Sequence, residues 1–78
     1  MAKVTIYSTP TCPYCEMAKE YFKKNNVEFQ NFDVSADEKA AREMIEKSHQ
    51  MGVPVIDIEG TIIVGFDRPS IDKALGIK

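Results

Sequence analysis

Two cysteines, Cys12 and Cys15, are the residues of this chain whose type and spacing could do covalent chemistry. They are the only cysteines among the 78 residues, and two residues separate them. A thiolate attacks a disulfide, and a second thiol nearby can then displace the product from the first sulfur. The pair therefore predicts thiol-disulfide exchange.

The neighbouring sequence places Cys12 at the start of a helix. Pro13 suits the first helical position, because the N–H that proline lacks would be unpaired there in any case. The free N–H groups and the positive dipole end of a helix N-terminus stabilise an anion such as a thiolate. Cys15 would lie one turn deeper on the same side. We therefore assign Cys12 as the nucleophile and Cys15 as the thiol that attacks the resulting mixed disulfide.

A closely spaced cysteine pair can also be a structural crosslink or half of a metal site. A disulfide across so short a loop would restrain the unfolded chain by about 2 kcal/mol at most. Zinc usually requires four ligands, and the chain has no second cysteine pair and a single histidine, His49. A metal-binding module, either shared between two chains or carrying copper on two thiolates, is the remoter alternative function.

Composition and charge set limits on the class of protein. Hydrophobic residues make up 44% and charged residues 28% of the chain, as in ordinary soluble domains, and 78 residues suffice for one domain, 1–78. A net charge of -2 leaves no broad cationic surface for nucleic acid. The first apolar run is too short for a signal peptide or a membrane span. We therefore expect a cytoplasmic monomer that binds neither nucleic acid nor membranes.

The whole chain predicts four strands and three helices in the order βαβ-α-ββα. β-Branched and apolar residues predict strands at 3–8, 27–34, 54–58 and 61–64. Helical spacing and capping residues predict helices that begin at 13, 35–38 and 67–70 and end near 25–26, 49 and 76. A βαβ start implies parallel first strands, and Gly60 suits the hairpin between the last two. The expected fold is α/β, with a mixed four-stranded sheet flanked by three helices.

The second strand and the second helix are predicted from local patterns. Phe29 and Phe32 break strict alternation in the strand, which suggests a bulge or a bend. Ser35 and Glu38 have the spacing of a capping box, in which a hydroxyl and a carboxylate satisfy free backbone N–H groups. The expected buried face of this helix consists of Ala41, Met44, Ile45 and Ser48.

The tetrapeptide Cys-Pro-Tyr-Cys at 12–15 resembles the active site of the dithiol glutaredoxins, and the similarity extends over nearly the whole chain. The resemblance implies a thioredoxin-like fold and a thiol-disulfide oxidoreductase that acts on protein disulfides or glutathione mixed disulfides. It implies that Thr11, Pro13 and Tyr14 complete the active-site loop, with Tyr14 also lining a glutathione groove. It further implies glutathione as a co-substrate, no tightly bound cofactor, and disulfide-containing proteins and a reductase system as partners.

Two later segments fall where that family has its glutathione-binding elements. Pro54 resembles the cis-proline that faces the cysteines, and Val53 would pair its backbone with the cysteine of glutathione or of a substrate peptide. Gly65, Phe66 and Asp67 resemble the loop that holds the γ-glutamyl end of glutathione. Asp67 also suits the N-cap of the last helix, a role compatible with binding.

The chain departs from the glutaredoxin pattern at two places. Many glutaredoxins have a lysine three residues before the nucleophile, where it meets a carboxylate of glutathione, and Thr9 stands there in this chain. The loop at 64–68 is similar to that of the glutaredoxin-like redoxins that serve ribonucleotide reductase. Arg68, Lys47 or the neutral amide of Gln50 would then contact glutathione. The alternative electron donor is thioredoxin reductase.

Overall fold

The computed structural model describes residues 3–76. The strands are β1 (Val4–Ser8), β2 (Phe29–Asp33), β3 (Val55–Ile58) and β4 (Thr61–Val64). The helices are α1 (Pro13–Lys24), α2 (Glu38–Ser48) and α3 (Arg68–Leu75). The predicted order of elements is confirmed. Within the described range, none of the helices has the length and apolar character needed to cross a membrane.

The four strands form one mixed sheet in the order β2-β1-β3-β4. β1 and β2 are parallel, and β3 runs antiparallel to both β1 and β4. Tyr7, near the end of β1, pairs with Val55 at the start of β3, and Val55 pairs with Val64 at the end of β4. One end of the sheet therefore brings together the loop after β1, the residues before β3 and the loop after β4.

Helices cover both faces of the sheet, as predicted. One core contains Phe22 of α1 and Ile71 of α3, packed on apolar side chains of the central strands. The other contains Ala40 and Met44 of α2, packed on Tyr7 and Val55. The central strands are apolar at most positions because a sheet covered on both faces needs apolar residues on both.

The two phenylalanines of β2 explain why its pattern is irregular. β2 pairs with β1 at five consecutive positions, so the predicted bulge is wrong for this strand. Phe29 packs against the core under α1, where its ring lies 5.8 Å from that of Phe22. Phe32 packs on the opposite face, with its ring stacked 5.8 Å from that of Tyr7. Residues three apart in a strand point to opposite faces, and both faces are apolar here.

The start of α2 differs from the prediction. Its N-cap is Asp37, whose carboxylate accepts the N–H of Ala40 at 3.1 Å. Ser35 does not cap the helix, because its N–H and hydroxyl both donate to Asp33 Oδ1, at 2.9 and 2.5 Å. The hydroxyl of Ser35 is also the main reason why the pKa of the Asp33 carboxyl is lowered. The predicted capping box is therefore wrong: Ser35 closes a turn before the helix.

The buried face of α2 agrees with the prediction at Met44 and differs from it at the alanine and at Ile45. Ala40 and Met44 are buried, whereas Ala41 is half-buried and Ile45 is 38% exposed. Two adjacent alanines fit either face of the pattern equally well. The choice is made by packing against the sheet, which the spacing of residues along the helix does not contain.

Candidate active site

The two cysteines lie where β1 leaves the sheet and α1 begins. The N–H of Cys12 donates to the C=O of Thr9 at 3.4 Å across the connecting loop, and Pro13 is the first residue of the helix. Cys12 is the N-cap, with extended backbone dihedrals of φ -97° and ψ 109°. The predicted placement of Cys12 at a helix N-terminus is confirmed.

The sulfur of Cys12 caps the N-terminus of α1. Its Sγ accepts the N–H of Cys15 at 3.1 Å, one of the N–H groups that the first turn leaves without a helical partner. A charged sulfur accepts such a bond more strongly than a neutral one, and the helix dipole acts in the same direction. The side chain is also partly exposed to solvent. The sulfur of Cys12 can therefore be reached from solvent at the N-terminus of α1.

Cys15 lies in a contrasting environment. Its side chain is fully buried on the inner side of α1. Burial, and secondly its hydrogen bond with Cys12, raise the pKa of the Cys15 thiol from 9.0 to about 12. Both cysteines are thiols in this structure. The pair therefore consists of a partly exposed sulfur that accepts an N–H of the first helical turn and a buried sulfur that keeps its proton.

Lys19 is a neighbour of the pair that sequence reasoning missed. It lies four residues after Cys15 on α1, so both side chains are on the same side of the helix. Its positive charge lowers the pKa of the Cys15 thiol and so opposes part of the effect of burial. The side chain is mostly buried and forms an ion pair with Glu16 at 3.4 Å. The spacing of four residues was the signal that could have identified it.

The raised pKa of Cys15 predicts a pH dependence of stability in the reduced protein. Above pH 9 the unfolded thiol loses its proton while the folded thiol keeps it up to about pH 12. The unfolded state then binds fewer protons, so the free energy of unfolding falls as the pH rises, by up to about 1.4 kcal/mol per pH unit. Urea unfolding of the wild type and of Cys15→Ser at several pH values above 9, with reductant present, measures the difference. Parallel curves for the two proteins would contradict the prediction.

The residues before β3 confirm one expectation from the resemblance. The peptide bond between Val53 and Pro54 is cis. The C=O of Pro54 accepts the N–H of Gly65 at 2.8 Å, which joins the start of β3 to the loop after β4. Gly65 has φ 81°, a conformation that glycine adopts readily. Within residues 3–76, the N–H and C=O of Val53 make no hydrogen bond.

The loop after β4 leads into α3. Asp67 is the N-cap of this helix, as predicted: its carboxylate accepts the N–H of Ser70 at 3.4 Å and the hydroxyl of Ser70 at 2.8 Å. Phe66 is half-buried, and its ring packs edge-on against that of Tyr21 at 5.9 Å. Its observed contacts are therefore packing contacts. The binding of glutathione by Gly65, Phe66 and Asp67 stays a prediction.

Of the remaining site residues predicted from the sequence, two are exposed to solvent and one is hydrogen-bonded within the chain. Tyr14 is 61% exposed and Thr11 is exposed, so both can contact a ligand at Cys12. Gln50 contacts the chain itself, because its amide nitrogen donates to the C=O of Gly52 at 3.0 Å and its amide oxygen accepts the N–H of Gly52 at 2.6 Å. Gly52 belongs to the segment 52–54 that resembles a glutathione-binding element, but its contact with Gln50 was not predicted.

The two cations considered as replacements for the missing lysine differ in position. Lys47 donates to Asp57 Oδ2 at 2.9 Å and to the hydroxyl of Tyr7 at 3.1 Å, which raises the pKa of Lys47. Its charge is thereby engaged by Asp57 of β3. Arg68 lies beside the predicted glutathione loop, with its guanidinium 4.8 Å from the ring centre of Tyr21. Of the two, only Arg68 adjoins that loop.

Two other features of the described residues are the grouping of metal-binding side chains and the concavities of the surface. Within residues 3–76, no three His, Cys, Asp or Glu side chains are grouped so that they could hold a metal ion. A concavity of about 510 Å³ lies between β4 and α3 and is lined by Val64, Ser70 and Lys73 among others. It does not include the cysteines.

Comparison with known proteins places this geometry in one family. The glutaredoxin family model matches residues 4–63. An uncharacterized glutaredoxin-like 8.6 kDa protein in the rubredoxin operon of Clostridium pasteurianum is 51% identical over 72 residues, which are 92% of this chain and 96% of that protein. Glutaredoxin 3 of Escherichia coli K12 is 39% identical over 67 residues, which are 86% of this chain and 81% of that protein.

Solved structures agree with these relatives. The crystal structure of a thioredoxin-like protein superposes with a TM-score of 0.87 at 30% identity, over 92% of this chain and 99% of that one. Glutaredoxin 1 from Francisella tularensis, complexed with cacodylate, superposes with a TM-score of 0.72 at 34% identity, over 97% and 99% of the two chains. The predicted thioredoxin-like fold is confirmed. With its Cys-Pro-Tyr-Cys helix start and its cis-proline, the chain belongs to the glutaredoxin family.

Proposed function

We propose that the chain is a thiol-disulfide oxidoreductase that reduces protein disulfides or glutathione mixed disulfides through Cys12 and Cys15. The observation that carries the proposal is the difference between the two sulfurs. Cys12 is accessible and accepts a helix N-terminal N–H at 3.1 Å, whereas Cys15 is buried with its pKa raised to about 12. One sulfur is thus suited to attack a substrate, and the other to remain a thiol until a mixed disulfide forms beside it.

The proposed reaction has two exchange steps. The thiolate of Cys12 attacks one sulfur of the substrate disulfide, so that a Cys12–substrate disulfide forms and the other substrate sulfur leaves as a thiolate and takes up a proton. Cys15 then loses its proton and attacks the sulfur of Cys12, which releases the second substrate thiol. The substrate disulfide gains two electrons, and the chain is left with a Cys12–Cys15 disulfide.

Glutathione is the electron donor that we propose for the return to the dithiol. The unpaired N–H and C=O of Val53 are suited to strand-like pairing with its cysteine. The N-terminus of α3, beside Asp67, suits a carboxylate and an amine. Glutathione then acts as a co-substrate, and no tightly bound cofactor is required in a cytoplasmic, monomeric enzyme of this kind.

Thioredoxin reductase is the second candidate donor. It is favoured by Thr9, which stands where a glutathione-binding lysine is expected, and by Lys47, whose charge is engaged by Asp57 of β3. Glutathione carries two carboxylates that require charged or hydrogen-bonding partners. With Arg68 as the nearby cation, recognition of glutathione by charge is weaker than in the common family pattern.

A coupled assay separates the two donors. The chain and a disulfide substrate are supplied either with glutathione and glutathione reductase or with thioredoxin reductase, and the consumption of NADPH is measured. We expect consumption that depends on the chain in the glutathione arm. Consumption in the thioredoxin reductase arm alone would establish the second candidate, and consumption in neither arm would refute the proposed function.

A further inference from the structure

The side chain of Gln50 holds the backbone of Gly52 at two points. Gln50 Oε1 accepts the N–H of Gly52 at 2.6 Å, and Gln50 Nε2 donates to the C=O of Gly52 at 3.0 Å. One planar amide thus satisfies both backbone groups of one residue, as a neighbouring strand would. We name this pair of hydrogen bonds between Gln50 and Gly52 the Gln50 clamp.

The clamp is tied to the hydrophobic core through the last turn of α2. Gln50 Nε2 also donates to the hydroxyl of Ser48 at 3.3 Å. That hydroxyl donates to the C=O of Met44 at 2.6 Å, and the side chain of Met44 is buried. Both hydrogens of the Gln50 amide are therefore engaged within the chain. The clamp has a fixed base, and Gln50 has no hydrogen left for a ligand in this arrangement.

Gly52 is needed here for space rather than for its dihedral angles. A Cβ atom at this position would lie 2.7 Å from Gln50 Oε1, closer than real Cβ atoms approach a neighbour. Any other residue would push the amide of Gln50 away. The two residues therefore depend on each other, since the clamp requires both the long amide and the missing side chain.

The clamp determines where the backbone of Val53 points. The C=O of Gly52 and the N–H of Val53 belong to one planar trans peptide unit, so they point in opposite directions. When Gln50 holds the C=O, the N–H of Val53 must face away from Gln50. This N–H, like the C=O of Val53, has no partner within residues 3–76, and the cis bond to Pro54 follows directly.

We infer that Gln50 is a positioning residue, which fixes the peptide between Gly52 and Val53 so that Val53 presents its backbone to the cysteine of a substrate bound at Cys12. The inference rests on the proposed function, because it needs a substrate at Cys12. Gln50 then acts on substrate binding through Val53 and touches neither the substrate nor the reacting sulfurs. The role differs from the direct contact with glutathione that the sequence suggested.

The test measures KM and kcat for a glutathione mixed disulfide in Gln50→Met, which keeps the length of the side chain and removes its hydrogen bonds. KM is expected to rise about five- to tenfold, as for one or two hydrogen bonds, with kcat within twofold of the wild type. The rate at which a small alkylating reagent modifies Cys12 is expected to be unchanged, because that reaction needs no contact with Val53. Gln30→Met, an exposed glutamine on β2, is the matched control.

Two further variants keep the test decisive. Gly52→Ala displaces the amide of Gln50 by adding a Cβ atom at residue 52. The KM of the double variant, Gln50→Met with Gly52→Ala, should not exceed the higher KM of the two single variants, since both changes remove the same clamp. Gln50→Glu keeps the acceptor for the Gly52 N–H and loses the donor to the Gly52 C=O, so its KM is also expected to rise. It serves as the second variant if Gln50→Met unfolds.

The outcomes separate this inference from the proposed function. An active wild type with an unchanged KM in Gln50→Met or in Gln50→Glu would overturn the inference and leave the proposed function standing. Additive effects of Gln50→Met and Gly52→Ala would also overturn it, because they would show that the two residues act independently and not through one clamp. A wild type without activity would instead refute the proposed function.

Discussion

Cys12→Ser is expected to lower the rate of disulfide reduction by at least about a thousandfold, because a serine hydroxyl stays protonated and is a poor nucleophile where a thiolate is required. The loss should be chemical rather than structural. Cys12 occupies the N-cap of α1, where its side chain accepts the N–H of Cys15. Serine is among the best N-cap residues, so the replacement preserves the cap that the sulfur now provides.

The measurement compares kcat/KM in the coupled assay with thermal unfolding of the same proteins. The midpoint of unfolding of Cys12→Ser should stay close to that of the wild type, while the activity disappears. Full activity in this variant would remove Cys12 from the mechanism. A large loss of stability would instead mean that the sulfur contributes more to the start of α1 than a capping oxygen can replace.

The helix ends and turns that the sequence predicted correctly are those set by neighbouring residues. Pro13 begins α1, Asp67 caps α3, and Gly76 ends it with φ 75°. Glu59 and Gly60 both have positive φ, as the tight hairpin between β3 and β4 requires. Each of these signals operates over a few residues. For that reason the sequence could also place Cys12 at a helix N-terminus.

The errors arise where two residues compete for one partner. Ser35 and Asp37 both precede α2 and both are good N-caps. Asp33, at the end of β2, engages Ser35 in a turn and leaves the cap to Asp37. The position of Asp33 depends on the pairing of β2 with β1, so the outcome is decided by the sheet rather than by the helix.

Prediction from the sequence was limited in the same way for the polar residues of the candidate site. Lys47 and Gln50 are long polar side chains near the predicted site in sequence, and both were considered as contacts for glutathione. Lys47 instead pairs with Asp57, which belongs to a different element, and Gln50 with Gly52, two residues away. A carboxylate or a backbone group that is already nearby satisfies such side chains before any ligand arrives. Only the folded arrangement shows which of them remain unpaired.

The resolving thiol gives the second large effect that we expect. In Cys15→Ser, the first exchange at Cys12 can still occur, but no neighbouring thiol can attack the mixed disulfide that it forms. The Cys12–substrate disulfide should therefore accumulate to about one per chain, and reduction of protein disulfides should fall at least about a hundredfold. Mass spectrometry of the unreduced protein measures the adduct. The chain has no third cysteine that could replace Cys15.

Reduction of glutathione mixed disulfides should respond differently to the same change. On the proposed glutathione route, Cys12 would attack the sulfur of glutathione and the substrate would leave as a thiol. A second glutathione would then attack the Cys12–glutathione disulfide to give oxidised glutathione and free Cys12. This route does not use Cys15, so its rate in Cys15→Ser should stay within a few-fold of the wild type. Ala18→Ser places a hydroxyl at another fully buried position of α1 and controls for lost stability. Equal losses on both substrates, with Ala18→Ser active, would mean that Cys15 also takes part in the first attack, and the division of roles between the two sulfurs would be wrong.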